Sequence, residues 1–195
     1  MRSDGCAKRQ FSLLKIMMPS NYLFCSEHLG FREWRDDDFG LALRLWSDAE
    51  VTRYIGGPYS EDRVHERLAR EIANMTDFRV QYWPVFLLND GTNIGCCGLS
   101  PYKMDEGIYE IGIHLHTAFQ KQGYGREAIL KVMLRAFRNL NAMALFAGHH
   151  PENKHSRHFI EQFGFRYTHD EFYPPTGLNH PSYLLTVEEW EERYG

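Results

Sequence analysis

The sequence has no apolar run approaching the roughly 18 residues of a membrane-spanning helix, and it carries neither low-complexity tracts nor a visible internal repeat. Those absences exclude a helical membrane protein, a collagen-like chain and a solenoid. Cysteine is scarce: Cys6, Cys25, Cys96 and Cys97 lack C-x-x-C spacing. The vicinal pair lies in an apolar run, where strand alternation puts the two thiols on opposite faces, so reduced, buried thiols are expected. Positive charge is not in excess either. Lys plus Arg number 22 against 26 Asp plus Glu, a net charge of -4, which argues against a dedicated nucleic-acid binder. The expectation is a cytoplasmic protein without nucleic-acid or membrane partners.

What the chain does have is core material. With 43% hydrophobic and 14% aromatic residues over 195 positions, it has the size and apolar content of one folded domain. Residues 1–21 stand apart: Lys8 and Arg9 precede Phe11–Met18, superficially a secretory leader, but Lys15 interrupts the apolar part and no small-x-small site follows. They are expected to form a loosely ordered extension before a domain spanning 22–195.

Alternation from Tyr22 to Trp34 predicts a first strand with an irregular middle. A helix follows from the Asp36–Asp38 carboxylates, with Phe39, Ala42, Leu43 and Trp46 inward. Gly56-Gly57-Pro58 breaks the chain, and Ser60 caps a second helix whose inward face is Val64, Leu68, Ile72 and Met75. Runs at 80–88, 93–99 and 108–115, separated by turn residues, predict an antiparallel meander. The period then changes to helical over 126–140. A strand at 142–148, a helix at 153–163 ended by Gly164, and strands at 165–168 and 183–187 complete a mixed α/β (α+β) domain, mostly antiparallel, with helices on both faces of the sheet.

The segment Gln120-Lys-Gln-Gly-Tyr-Gly-Arg126 lies between a strand and a helix N-terminus. Free amides at a helix start, with glycines at 123 and 125, suit a phosphate. The segment 120–139 is locally basic, since Lys121, Arg126, Lys131, Arg135 and Arg138 face Glu127 alone. Gly123-x-Gly125-x-x-Ala128 also satisfies a dinucleotide fingerprint, but that motif needs the strand to run straight into the first glycine and an acidic residue ending the next strand. Here His116–Gln122 intervene, and the next strand ends in Gly148-His149-His150.

Gln120-x-x-Gly123-x-Gly125 resembles the pyrophosphate loop of the GCN5-related N-acetyltransferases (GNAT). The similarity runs from Tyr22 to Trp190. Tyr109-Glu-Ile-Gly112, the Ala118–Ala128 loop, His150-Pro-Glu-Asn-x-x-Ser156, Phe163-Gly-Phe165 and Thr186-Val-Glu-Glu-Trp190 resemble the RimJ/RimL-type branch, which acetylates protein N-termini, as in ribosomal-protein-alanine acetylation, and other amines. The resemblance implies acetyl-CoA as cosubstrate, bound by Gln120, Lys121, Gln122, Gly123, Tyr124, Gly125 and Arg126, by the strand backbone of Ile113, His114 and Leu115, and by Asn153 and Ser156. Asn153 is equally readable as a plain helix cap. Ser156 is the implied proton donor to the departing thiolate.

Gly148 stands where many members have Glu or His, and Ile160 where many have Tyr. Strand parity places Glu110, Gly112, His114 and His116 on one face, leaving Glu110 or His114 as the general base. His149, His150, His155 and His158 lack the spacing of a zinc site, and no metal is expected. Asp48, Glu50 and Glu171 are the acidic residues available to an acceptor site formed around Trp46–Tyr59 and Tyr173–Pro181. The acceptor is an amine, either a protein N-terminus or a small molecule such as a polyamine, antibiotic or amino acid. A silent CoA-binding module is the alternative of a different class, and either a monomer or a homodimer is expected.

Overall fold

The computed structural model describes residues 21–195, so the expected N-terminal extension and Cys6 lie outside the described residues. The irregular first strand is a tight hairpin of β1 (Phe24–Cys25) and β2 (Leu29–Phe31), with Phe24 opposite Phe31. A 3-10 turn at Asp36–Asp38 leads into α1 (Phe39–Trp46). Asp38 accepts both Nη groups of Arg32 at 2.6 Å and the Arg35 amide at 2.9 Å, which ties β2 to the helix start. The short α2 (Ala49–Thr52) is capped by Asp48, which accepts the Glu50 and Val51 amides. The Ser60 hydroxyl caps α3 (Glu61–Phe78), whose Val64 and Leu68 are buried as the period predicts.

The meander consists of β3 (Tyr82–Leu87), β4 (Asn93–Lys103) and β5 (Ile108–Leu115). Cys96 and Cys97 are buried in separate apolar clusters on its two faces, with free thiols. The chain continues through α4 (Tyr124–Asn139), β6 (Ala144–Gly148) and α5 (Lys154–Gln162) to a hairpin of β7 (Arg166–Tyr173) and β8 (Leu178–Thr186). Both hairpin strands are longer than their apolar patterns predict, because β7 is almost wholly exposed and alternation was never required of it. A final helix, α6 (Val187–Tyr194), is an addition to the predicted order. Thr186 and Glu189 form a reciprocal capping box there, and Trp190 stacks on Phe137 with ring centroids 5.0 Å apart.

Among the described residues, eight strands form one sheet in the order β1-β2-β3-β4-β5-β6-β8-β7. Helix α4 packs its buried face, from Ala128 to Phe137, into the larger apolar cluster with Phe163, Phe165 and Trp190. Helices α1 and α3 cover the opposite face with Trp46, Val64 and Leu68 against Tyr82 and Cys96. The parallel pair β5–β6 matches only Ile108 with Ala144, Tyr109 with Leu145 and Glu110 with Phe146. Beyond Glu110 the two strands are no longer paired.

Sequence periodicity did not reveal a buried ion pair inside α3. Arg67 lies 2.6 Å from Glu71, four residues on, and Glu71 also accepts the Tyr82 amide at 2.7 Å. The guanidinium sits over the rings of Trp46 and Tyr82 at 5.3 and 5.1 Å. Removing one partner leaves a desolvated charge. Glu71→Ala is therefore expected to lower unfolding free energy by about 3–5 kcal/mol, measured by chemical denaturation.

Candidate active site

Where β5 and β6 part, the backbone of Ile111–Leu115 has lost its neighbour on one side while β4 still pairs on the other. A cavity of about 570 Å³ opens at this point. It is bounded by Glu110, Ile113 and His114 of β5, Ala147 and Gly148 of β6, Asn153, Ser156 and Ile160 around α5, α3, and the β7–β8 hairpin tip. Glu110, Ile113 and His114 of β5 are thus brought to one space with Asn153 and Ser156 at the start of α5. The glycine at 148 leaves its side of that space open.

Leu115 leads through a 3-10 turn at Thr117–Phe119 into the loop that begins α4. The Gln120 amide donates to the Leu115 carbonyl at 2.9 Å, and that of Gln122 to the Ala118 carbonyl, so both glutamine side chains brace the loop. Gly123 caps the helix at φ 90°, a conformation that suits glycine, and nothing lies near the position a Cβ would take. The amides of Tyr124, Gly125 and Arg126 have no intrahelical acceptor, as for any first turn. Lys121 and Arg126 are exposed beside them, and neither forms a salt bridge among the described residues. Two of the other cations are engaged elsewhere: Arg135 lies over Phe24 and Trp83, and Arg138 contacts Glu191 at 3.2 Å.

Glu127 is the one carboxylate in this basic segment, and it is turned to a structural use. Its two oxygens meet the Ser26 hydroxyl at 2.6 Å, the His28 amide at 2.7 Å and His28 Nδ1 at 3.0 Å. Burial opposes its ionisation, but these hydrogen bonds outweigh it and hold the carboxyl below its ordinary value of 4.5. The start of α4 is thereby fastened to the β1–β2 turn, and the carboxylate is withdrawn from any anion at the loop.

Toward α3 the cavity wall is polar. Glu110 makes no hydrogen bond among the described residues, and burial raises its pKa above 4.5, with Arg67 and Arg70 opposing and Glu71 and Glu171 reinforcing. Trp46 donates its indole N–H to His114 Nδ1 at 3.1 Å, which leaves the hydrogen of the neutral ring on Nε2. Burial, with Arg67 nearby, pushes His114 down to about 3. Glu110 and His114 line the same wall but present opposite hydrogen-bonding character, a free acceptor and a fixed neutral ring. Asn153 accepts the Ser156 amide at 3.1 Å through Oδ1, so it caps α5 and still lines the cavity.

Of the acidic residues available for an acceptor, Glu171 reaches the cavity, where Tyr102 donates to it at 2.8 Å, while Asp48 serves as the cap of α2. Arg67, Arg70, Tyr102 and His180 also line the space and went unnoticed in the sequence. An Arg-Glu pair at i, i+4 in α3 was a readable signal for the first. His149 and His150 both line the cavity but engage different partners: His149 bonds the His150 carbonyl and Tyr183, while His150 accepts the Glu152 amide. Among the described residues no group of three His, Cys, Asp or Glu side chains is arranged to hold a metal, and no helix is long and apolar enough to cross a membrane.

The Glu127 contacts give a stability prediction with a definite sign. A carboxyl whose folded pKa is depressed contributes stability above its unfolded value and loses it as pH falls through the folded one. Glu127→Gln is expected to lower the thermal midpoint by roughly 5 °C near pH 7. That deficit should narrow as the pH is taken below about 4, measured by paired melts of both proteins.

Comparison with known proteins agrees with this geometry. The acetyltransferase (GNAT) domain model matches residues 28–166. An uncharacterized N-acetyltransferase of Bacillus licheniformis, p20, is 24% identical over 143 residues, covering 72% of this chain and 80% of its own. A spermidine N-acetyltransferase from Vibrio cholerae, solved with CoA and spermine, superposes with a TM-score of 0.70 at 18% identity, covering 84% of this chain and 98% of that one. A protein assigned as a ribosomal-protein-serine acetyltransferase, also from Vibrio cholerae, gives a TM-score of 0.70 at 16% identity, covering 85% and 99%. At such identities the two structures speak for the fold, and the family model for the lineage. The chain belongs to the GNAT acetyltransferase family and is an acyltransferase that uses acetyl-CoA.

Proposed function

We propose that this acyltransferase moves acetyl directly from acetyl-CoA to a primary amine positioned at Glu110, and that the acceptor is a protein N-terminus, as in the RimJ/RimL-type branch. The observation that carries the reading is a cavity joining the parted strands, the start of α5 and a half-buried carboxylate whose oxygens have no hydrogen-bond partner among the described residues. Acetyl-CoA supplies an activated thioester carbonyl. The residues at the cleft fit it: the α4 amides, Lys121 and Arg126 would meet its phosphates, and the β5 edge at Ile113, where β6 no longer pairs, would accept the amide-bearing arm.

The amine must be neutral to attack. Glu110 is the group assigned to take its proton, because it lacks a competing partner and its raised pKa brings it closer to that of a useful base. His114 is a poorer choice, since its Nδ1 lone pair already accepts from Trp46. Its Nε2–H is a donor and helps orient what lies in the cavity. Ser156 lines the cavity at the start of α5, which supports assigning its hydroxyl as the proton donor to the thiolate. The unoccupied acceptor character of Glu110 favours an enzyme over a silent CoA-binding module.

The RimJ/RimL assignment is supported by the ordered motifs from Tyr109 to Trp190. The hairpin tip, where Phe172 is 61% exposed at the cavity rim, leaves room for the rest of a peptide. A free small-molecule amine is the second reading, favoured by a cavity of about 570 Å³ that can enclose a whole small acceptor.

Two substitutions test the roles. Glu110→Gln is expected to lower kcat by roughly 100-fold or more and to abolish the rise in rate as pH climbs through the Glu110 pKa. An unaltered acid limb would remove Glu110 as the base. Ser156→Ala should lower kcat about 10-fold or more with little change in KM for acetyl-CoA, and wild-type turnover would remove it as the acid.

A further inference from the structure

The charged lining of the cavity narrows the acceptor class. Helix α3 carries Arg63, Arg67 and Arg70 at i, i+4 and i+7, one stripe of the helix. The Arg63 Nη1 donates to the Gly56 carbonyl at 2.7 Å, and that loop in turn abuts the β7–β8 turn, since a Cβ on Gly56 would overlap the Pro175 carbonyl. Arg67 is held by Glu71, which is not part of the lining. Arg70, exposed at the rim, forms no salt bridge among the described residues, although its charge is felt at Glu110. Across the space stand Glu110 and Glu171. Arg67, Arg70, Glu110 and Glu171 are the formally charged residues of the lining, beside His114, His149, His150 and His180. Burial, with His150 and His149 nearby, pushes His180 down to about 4, so it adds no positive charge at neutral pH.

A cavity built for a polyamine would present carboxylates without competing cations, because each added ammonium beside an arginine is repelled. Here both signs line the space, carboxylates on the sheet and hairpin and guanidinium groups on α3, of which Arg67 is paired with Glu71 and Arg70 is without an ion pair among the described residues. We propose that the acceptor is dipolar, an amine with a carboxylate on the same molecule, the amine received at Glu110 and the carboxylate by Arg70 with Arg67 behind it. This rests on the reading that acetyl passes to an amine at Glu110, and it adds which amines qualify. The same chemistry is offered by a free amino acid and by a peptide with an acidic residue close to its N-terminus.

The test is acetyl-CoA-dependent thiol release by the full-length protein across matched acceptors. One arm compares free amino acids with their decarboxylated amines. A second compares peptides bearing Asp or Glu near the N-terminus with the same peptides bearing Asn or Gln, and spermidine serves as the polyamine. The carboxylate-bearing member should win by about 10- to 100-fold in kcat/KM in one arm, which also identifies the source. Arg70→Gln should collapse that ratio and Arg70→Glu should favour spermidine. Spermidine or the decarboxylated amines reacting at least as well, with Arg70→Gln unchanged, would overturn the inference and leave amine acetylation standing. Thiol release from none of the amines would instead remove the function on which it rests.

Discussion

The parallel pairing of β5 with β6 ends after three matched residue pairs, and the rest of the site depends on that ending. Strand backbones carry obligatory donors and acceptors, so two strands that part inside a covered sheet leave groups that something else must satisfy. β4 continues to hold β5 from its other side, which keeps the opened edge rigid. The crossover from β5 to β6 runs through α4, so the same divergence that opens the cleft sets the glycine loop at its mouth. α5, issuing from the end of β6, delivers Asn153 and Ser156 to the opposite lip.

Charge is arranged around this opening with a division of labour that whole-chain arithmetic conceals. The net charge of -4 coexists with a basic loop whose single carboxylate is tied to Ser26 and His28. Lys121 and Arg126 consequently stand exposed beside the first α4 amides without an ion-pair partner among the described residues, while Arg135 and Arg138 pack over aromatic rings. On the other side of the sheet the charges are balanced, and burial separates their behaviour. Glu110 is driven toward holding a proton and His114 toward shedding one, although both stand on one face of the same strand. Environment, rather than residue type, makes one a proton acceptor and the other a fixed neutral ring.

The fold was largely legible because its signals are local. Ser60, Asn153 and Gly164 mark helix ends by short-range chemistry, and the meander from Tyr82 to Leu115 declares itself by short apolar runs separated by turn residues. The helix at Val187–Tyr194 was missed because its four glutamates hide a stripe containing one large buried residue, Trp190. β7 was underestimated because an exposed edge strand owes no apolar pattern to a core. At the site, the loop was readable from its glycines, and Glu110 and Glu171 from their positions, whereas the two arginines that share the cavity with them were not. Arg67, Arg70, Glu110 and Glu171 lie on α3, β5 and β7, and their meeting depends on tertiary placement that no spacing encodes. The proposed preference for Glu110 over His114 as the base likewise rests on one long-range contact, the Trp46 indole N–H donated to His114.

Coenzyme A in the cleft between β5 and β6 is the premise on which every proposed residue role rests. Hydrogen exchange of backbone amides with and without CoA measures this without an acceptor. Protection concentrated at Ile111–Leu115 and Gly123–Arg126, with a smaller effect at the start of α5, is the predicted result. CoA binding that leaves those amides unchanged while protecting another surface would contradict it.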